Sequence, residues 1–417
     1  MKQKNTNLIT LLIIIGSLLL ASVVIGSLSM NNSESKKSQN IINNVTNEIT
    51  TKIVTYEDLT IEDVDQALTT AVKKVENSVI GINTKIMVYS NSKLVETGYG
   101  SGCGVVYKQE EVLDDDNNLV NYKYYCITNA HVVVPSKVEY ESVNCYAYLG
   151  YDDIEILGTV LGYDIKADIA VMVFEYYGYI DPVTIADSDV LEKGQLVFAV
   201  GNPEGIEYYG TTTFGVVSAP HRYLSSDTDG DDIVDFYGEY IQHDAAINSG
   251  NSGGGLFNLK GELIGINNMK LVSSSIENMS FAITSKIAYA IATEYIEKGV
   301  EIVRPRLNVL GYEIRSLSEA QIEANPEILE IPTSIYNGEK PYGIYISEIG
   351  SGTLSSTSIS KYDIILEVND VKLTRTYILT AKLNSLVDGF KVGEEITIKY
   401  YDHLSKTVKT TTATLMA

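Results

Sequence analysis

The sequence predicts a mostly β protein: two successive β-barrels, then a smaller β domain, all preceded by an apolar helix. Three observations carry this expectation. From Val79 to Ile283 the chain breaks into short β-branched and aromatic runs separated by Gly, Asp and Asn, which is the pattern of barrels. The pattern changes after Arg304-Pro305, where a new set of short runs begins. Residues Leu8 to Leu28 form 21 positions without a charge, the length of a bilayer-crossing helix.

Taken in order, the apolar stretch follows Lys2 and Lys4 and gives way to a polar run from Asn31. A cleaved signal peptide usually has a shorter apolar core ending at a small-x-small site, and Ala21-Ser22-Val23 fits that poorly, so a retained anchor is expected. The lysines at the start place the amino terminus in the cytoplasm and everything after residue 28 outside, giving a single-pass cell-membrane protein. Residues 29–58, rich in Asn, Ser, Thr, Lys and Glu, are too polar to bury a core and read as a stalk. Thr60-Ile61-Glu62-Asp63 looks like a helix start, followed at helical spacing by Val64, Leu68, Ala71, Val72 and Val75.

The first barrel is assigned to 79–89, 104–107, 122–128, 143–149, 154–162 and 169–174. The second takes 195–201, 211–219, 240–243, 254–258, 263–268 and 280–283, with a terminal helix over 284–298. Two acidic insertions interrupt them. Asp114 to Asn118 reads as a solvated hairpin. Asp227, Asp229, Asp231 and Asp235 alternate oxygens as a calcium loop does, but Asp232 replaces a usual glycine and no helix pair flanks the segment. A solvated loop is the simpler reading, and the expected metal and cofactor content is none.

Chemistry is expected at Asn248-Ser249-Gly250-Asn251-Ser252-Gly253-Gly254-Gly255. A serine hydroxyl attacks at neutral pH only with a neighbouring base and with N–H groups aimed at the developing oxyanion. Glycines around it allow consecutive N–H groups to converge and leave room for a substrate backbone. A strand-like run ends at His131, and Asp168 opens another, so the chain order is His131, Asp168, Ser252. That is the order of the chymotrypsin-type double barrel, and it differs from the orders on the subtilisin and α/β-hydrolase folds.

Six blocks then resemble the HtrA family of serine proteases in its own order: Thr128 to Val133, Asp168 to Val171, Gly201 to Gly205, Gly215 to Ala219, Ile241 to Asn248, and Gly261 to Asn267. Ser249, Gly255 and His243 depart mildly from the usual residues. The resemblance implies a chymotrypsin-like protease domain over 59–303, with residues 1–28 as cytoplasmic tip and anchor. It implies a serine endopeptidase in which Ser252 attacks, His131 moves the proton and Asp168 orients it, with Gly250, Asn251 and Ser252 forming the oxyanion hole. Ala246 and Ile247 would line an uncharged pocket for small aliphatic residues, with His243 nearby as a feature that would instead favour an acidic side chain. Residues 304–417 look like one PDZ domain, with Val309, Leu310, Gly311 and Tyr312 at its peptide-binding loop, although Asn308 stands where glycine is common and 318–336 is long. Such a domain takes carboxy-terminal peptides as an added strand. The family further implies a homotrimer that degrades unfolded extracytoplasmic proteins, and a role in activation for the loop holding Asp227.

Composition narrows the alternatives. Lysine and arginine number 31 against 54 acidic residues, a net charge of −23, which argues against nucleic acid. Cys103, Cys126 and Cys145 cannot all pair within one chain. Cys103 and Cys126 fall on neighbouring strands, where a disulfide and two buried thiols are both open. The competing functional class is a catalytically silent holding protein with the same fold.

Overall fold

The computed structural model describes residues 60–90, 93–135, 142–202, 206–227, 234, 236–268, 278–324, 331–387 and 389–417. The chain divides into a short unit ending at Gln66 and a unit from Ala67 to Ala417. The described part of the first unit is the start of helix α1 (Ile61–Val75). There the Thr60 hydroxyl accepts the Asp63 N–H at 3.2 Å and the Asp63 carboxylate accepts the Thr60 N–H at 2.7 Å, a reciprocal cap that stops the first turn fraying. The expected anchor at 8–28 and stalk at 29–58 lie outside the described residues. Among the described residues no helix is long and apolar enough to cross a membrane.

In the second unit, β1 (Val79–Ser90), β2 (Lys93–Leu113), β3 (Leu119–Thr128), β4 (Ser142–Leu149), β5 (Ile154–Asp164) and β6 (Ile169–Tyr176) close a barrel in the order β1-β2-β3-β6-β5-β4. A one-turn helix, α2 (Ala130–Val133), leaves the end of β3. The strand β3 shows why the pattern is apolar on both faces. Tyr124 and Cys126 point into the barrel with Ile80, Ile82 and Met172, while Tyr125 and Ile127 join a layer with Phe198, Val200 and Phe281 of the second barrel.

The second barrel comprises β7 (Thr184–Ile185), β8 (Leu196–Gly201), β9 (Thr211–Ser226), β10 (Phe236–His243), β11 (Gly255–Asn258), β12 (Glu262–Asn267) and β13 (Ser280–Thr284). They run β11-β8-β9-β10-β13-β12-β7, and β11 pairing with β12 closes the ring. Helix α3 (Ser285–Ala290) continues as a π-helix over Ile291–Ile296, and the two seal the layer between the barrels with Ala288, Ile291 and Ala292. Strands β2 and β9 run well past the apolar runs that announced them, because backbone pairing with β3 and β10 continues after the core ends. The β2–β3 turn is the solvated hairpin expected at Asp114: its Oδ1 accepts the N–H groups of Asp116 and Asn118 at 2.9 and 2.8 Å. Parallel β7, two residues long, was not foreseen.

After Arg304 a third sheet forms from β14 (Val309–Glu313), β15 (Ile344–Ile349), β16 (Ile364–Val368), β17 (Val371–Lys372), β18 (Glu395–Asp402) and β19 (Thr407–Thr414). Its order is β14-β15-β16-β18-β19, with β17 on β16. Short helix α4 (Glu319–Ala324) lies in the long connection after β14, and helix α5 (Thr376–Asn384) contributes Leu379 and Leu383 to a core with Ile346, Ile365 and Ile398. Asn308 enters β14 at φ 54°, a left-handed conformation that asparagine tolerates. Its amide donates to the Ser351 carbonyl at 2.7 Å, which anchors it. Helix α5 abuts the second barrel, with the Asn384 amide donating to the Tyr237 carbonyl at 3.2 Å. Arg304 ties the same corner together, donating to the Asn384 carbonyl at 2.9 Å and pairing with Asp164 at the end of β5.

Candidate active site

The site lies where the two barrels meet. Asp168, at the entry to β6, holds φ 55°, a conformation that costs a residue with a Cβ about 1–2 kcal/mol. Its neighbours hold it there. The Asn129 amide donates to the Asp168 carbonyl at 2.9 Å, and the Asn268 amide donates to Oδ2 at 2.9 Å.

The Asp168 carboxylate receives His131 twice. The backbone N–H of His131 donates to Oδ1 at 2.9 Å and its Nδ1 lies 2.6 Å from Oδ2. A carboxylate at that nitrogen places the ring proton on Nδ1 and leaves Nε2 as the basic atom. Helix α2 is the reason both contacts are possible: one helical turn puts the His131 amide and ring on the same side, facing Asp168.

Ser252 is buried in a loop of two consecutive tight turns, in which the Asn251 N–H bonds the Asn248 carbonyl and the Gly254 N–H bonds the Asn251 carbonyl, each at 3.0 Å. Gly250 at φ 95° and Gly253 at φ 83° supply the two left-handed positions these turns require. Strand β2 brings this loop to the histidine. A Cβ on Gly102 would fall 2.7 Å from both methyls of Val132, the residue after His131, and 3.0 Å from the Ser252 carbonyl oxygen. Only a residue without a side chain lets both segments approach one point. Gly253 is equally tight, since a Cβ there would meet the Cys103 carbonyl at 2.1 Å.

The remaining expected residues fall out as follows. Gly250 and Asn251 lie in the first tight turn, and among the described residues nothing accepts a hydrogen bond from the Gly250 N–H. Ala246 is exposed, its carbonyl accepting the Thr213 hydroxyl at 2.8 Å, and Ile247 is buried in the second-barrel core with Val217, Ile241 and Leu256. His243 has no exposed surface, and neither ring nitrogen finds a partner among the described residues. Burial pushes its pKa down to about 4, so at neutral pH it carries no charge to attract an acidic side chain. Val309 and Gly311 border a cavity of about 310 Å³ between β14 and α5, floored by Leu307, Ile344, Leu379 and Leu383. Leu310 points to solvent, and Tyr312 packs toward Tyr345 and Tyr401.

The three cysteines are free and buried. Asp229, Asp231 and Asp235 lie outside the described residues. Among the described residues no group of three His, Cys, Asp or Glu side chains is placed to hold a metal. Sequence reasoning missed Asn129, Asn268, Gly102 and Cys103. Asn129 stands two positions before His131, yet its partner is 39 residues further on, and nothing local announces that.

An alcohol, an imidazole fixed by a carboxylate, and a glycine-shaped loop of N–H groups are the parts acyl transfer needs. Comparison with known proteins identifies the family. The trypsin-like peptidase domain matches residues 102–266, a span containing His131, Asp168 and Ser252. The chain is 33% identical to the serine protease Do-like HtrA of Lactobacillus helveticus, over 80% of this chain and 72% of that one. It is 31% identical to that of Bacillus subtilis, over 79% and 68%. Among solved structures, the HtrA-type protease AlgW with decapeptide shares the fold at TM-score 0.58 and 22% identity, over 84% of this chain and 98% of that one. The serine endoprotease from Yersinia pestis does so at 0.52 and 20%, over 84% and 97%. The chain therefore belongs to the HtrA family of serine proteases and is a serine endopeptidase.

Proposed function

We propose that Ser252 attacks the peptide carbonyl, that His131 takes its proton and returns it to the leaving amine, and that Asp168 holds the imidazole in the working tautomer. The observation that carries this reading is the double contact from His131 to Asp168, which fixes both the ring's tautomer and its direction. The N–H groups of Gly250 and Ser252 receive the oxyanion. An uncharged pocket beside Ala246 takes small aliphatic side chains, and the neutral, enclosed His243 supports that preference over an acidic one.

The cavity between β14 and α5 is the groove of a PDZ domain that takes a carboxy-terminal peptide as an added strand along β14. Residues 8–28 hold the enzyme at the cell membrane with the catalytic domain outside, and the substrates are unfolded extracytoplasmic proteins cut by a homotrimer. Peptides varied among Val, Ala, Glu and Lys at the cleaved position test the pocket, a Lys preference refuting it. The central test is Ser252→Ala in the full chain. Casein cleavage and labelling by a serine-reactive phosphonate should both vanish, and labelling that survives would assign the nucleophile elsewhere.

A further inference from the structure

We propose that Cys103 is a positioning residue for the reaction, its thiol holding the Gly250 carbonyl and its backbone N–H the carbonyl of Ser252 itself, so that the loop keeps the shape of an oxyanion hole. The inference rests on Ser252 being the nucleophile, and concerns a residue with no part in the triad. From strand β2, the Cys103 N–H donates to the Ser252 carbonyl at 2.8 Å and the thiol donates to the Gly250 carbonyl at 3.1 Å. The residue is itself held from two sides. The Thr128 hydroxyl donates to the Cys103 carbonyl at 2.6 Å, and the Asn202 N–H donates to the sulfur at 3.1 Å. A thiol serves as donor and acceptor at once, which no aliphatic side chain can do.

The thiol contact matters because of which peptide it holds. The Gly250–Asn251 unit is tied at both polar atoms, its carbonyl to the Cys103 thiol and its N–H to the Asn248 carbonyl. Gly250 has almost no steric preference of its own. Without those two ties this unit can rotate about the Gly250 Cα, and the preceding peptide, which carries the Gly250 N–H, loses the fixed neighbour that sets its direction. Cys103 is fully buried and burial pushes its pKa up to about 12, so the thiol stays protonated and keeps donating. The other cysteines do not share this placement. Cys126 donates to the Met172 carbonyl inside the first barrel, and Cys145 faces Thr84 and Val133.

The test compares Cys103→Ala, Cys103→Ser and Cys126→Ala in the full chain, reading kcat and KM on a peptide substrate, the rate of phosphonate labelling, and the thermal midpoint. Loss of the donor should lower kcat and the labelling rate of Cys103→Ala by about tenfold or more, with KM nearly unchanged. Cys103→Ser, which keeps a donor, should recover to within about threefold of the parent chain. Cys126→Ala makes the same cavity elsewhere and should lower only the midpoint. The proposal is overturned if Cys103→Ala retains its kcat, or if the Ala and Ser variants fall equally with losses that follow the midpoint. Should Cys103→Ala not fold, Cys103→Val refills the space without a donor and takes its place, with the same expectation and the same refutation. Phosphonate labelling of Ser252→Ala would instead refute the nucleophile assignment, so the two failures are distinguishable.

Discussion

Replacing Gly102 by alanine adds one methyl at the point where the histidine-bearing and serine-bearing segments touch β2. Its Cβ would stand 2.7 Å from both Val132 methyls and 3.0 Å from the Ser252 carbonyl oxygen. Carbon atoms rest about 3.5–4.0 Å apart, so Val132 must withdraw by at least about 0.8 Å. It cannot do so by turning, because both of its methyls are in the way and it is buried. The α2 turn moves instead, taking His131 with it. A misplacement near 1 Å at reacting groups costs about a hundredfold in rate, and overpacking of this kind costs about 1–3 kcal/mol of stability. Gly102→Ala should therefore lose about two orders of magnitude in kcat/KM, a larger effect than its fall in thermal midpoint of about 2–10 °C would explain. Gly100→Ala is the matched control on the same strand. Its Cβ would meet only Thr84, at an ordinary 3.8 Å. Peptide cleavage and a thermal melt of both variants decide the matter. If Gly102→Ala cleaves as fast as the parent chain, the approach of the two segments at β2 does not set the geometry of the site.

Two further outcomes follow from groups outside the triad. The buried His243 ring has its pKa pushed down to about 4 from an ordinary 6.5, so between those values the unfolded chain binds a proton that the folded chain refuses. This contribution to stability is full above about pH 6.5 and is lost as pH falls toward 4, by at most about 3 kcal/mol. Thermal midpoints from pH 7 to 4 should fall more steeply for the parent chain than for His243→Leu, and parallel curves would contradict this. Arg304 and Asp164 form a pair whose side chains are both nearly enclosed. Arg304→Ala leaves the carboxylate buried without its cation, a loss of about 3–5 kcal/mol, and should lower the urea midpoint of the full chain; an unchanged midpoint would show that water replaces the guanidinium.

Much of the fold was readable before any coordinates. Strand runs such as Tyr122 to Thr128 and Ile169 to Phe174 announced themselves because β-branched and aromatic residues between turn formers are a local property. The extensions of β2 to Leu113 and β9 to Ser226 were not readable, since hairpin arms beyond a core carry polar residues that look like loop. Strand β7 is too short for any periodicity. Within the site, the loop after β10 turns the Ile247 side chain into the barrel core, a placement that its distance to Ser252 along the chain does not display.

From the residues alone came the order His131, Asp168, Ser252, the glycines around the serine, and the succession of two barrels and a smaller sheet. These are properties of neighbouring residues and their spacing, and a linear chain displays them directly. Only the tertiary structure decided that Asn129 and Asn268 brace Asp168, that β2 needs glycine at 102, and that a thiol 147 residues before Gly250 holds its carbonyl. Each of those depends on two segments, distant in the chain, coming within a hydrogen bond or a methyl's width. Such distances arise only when the barrels close on each other.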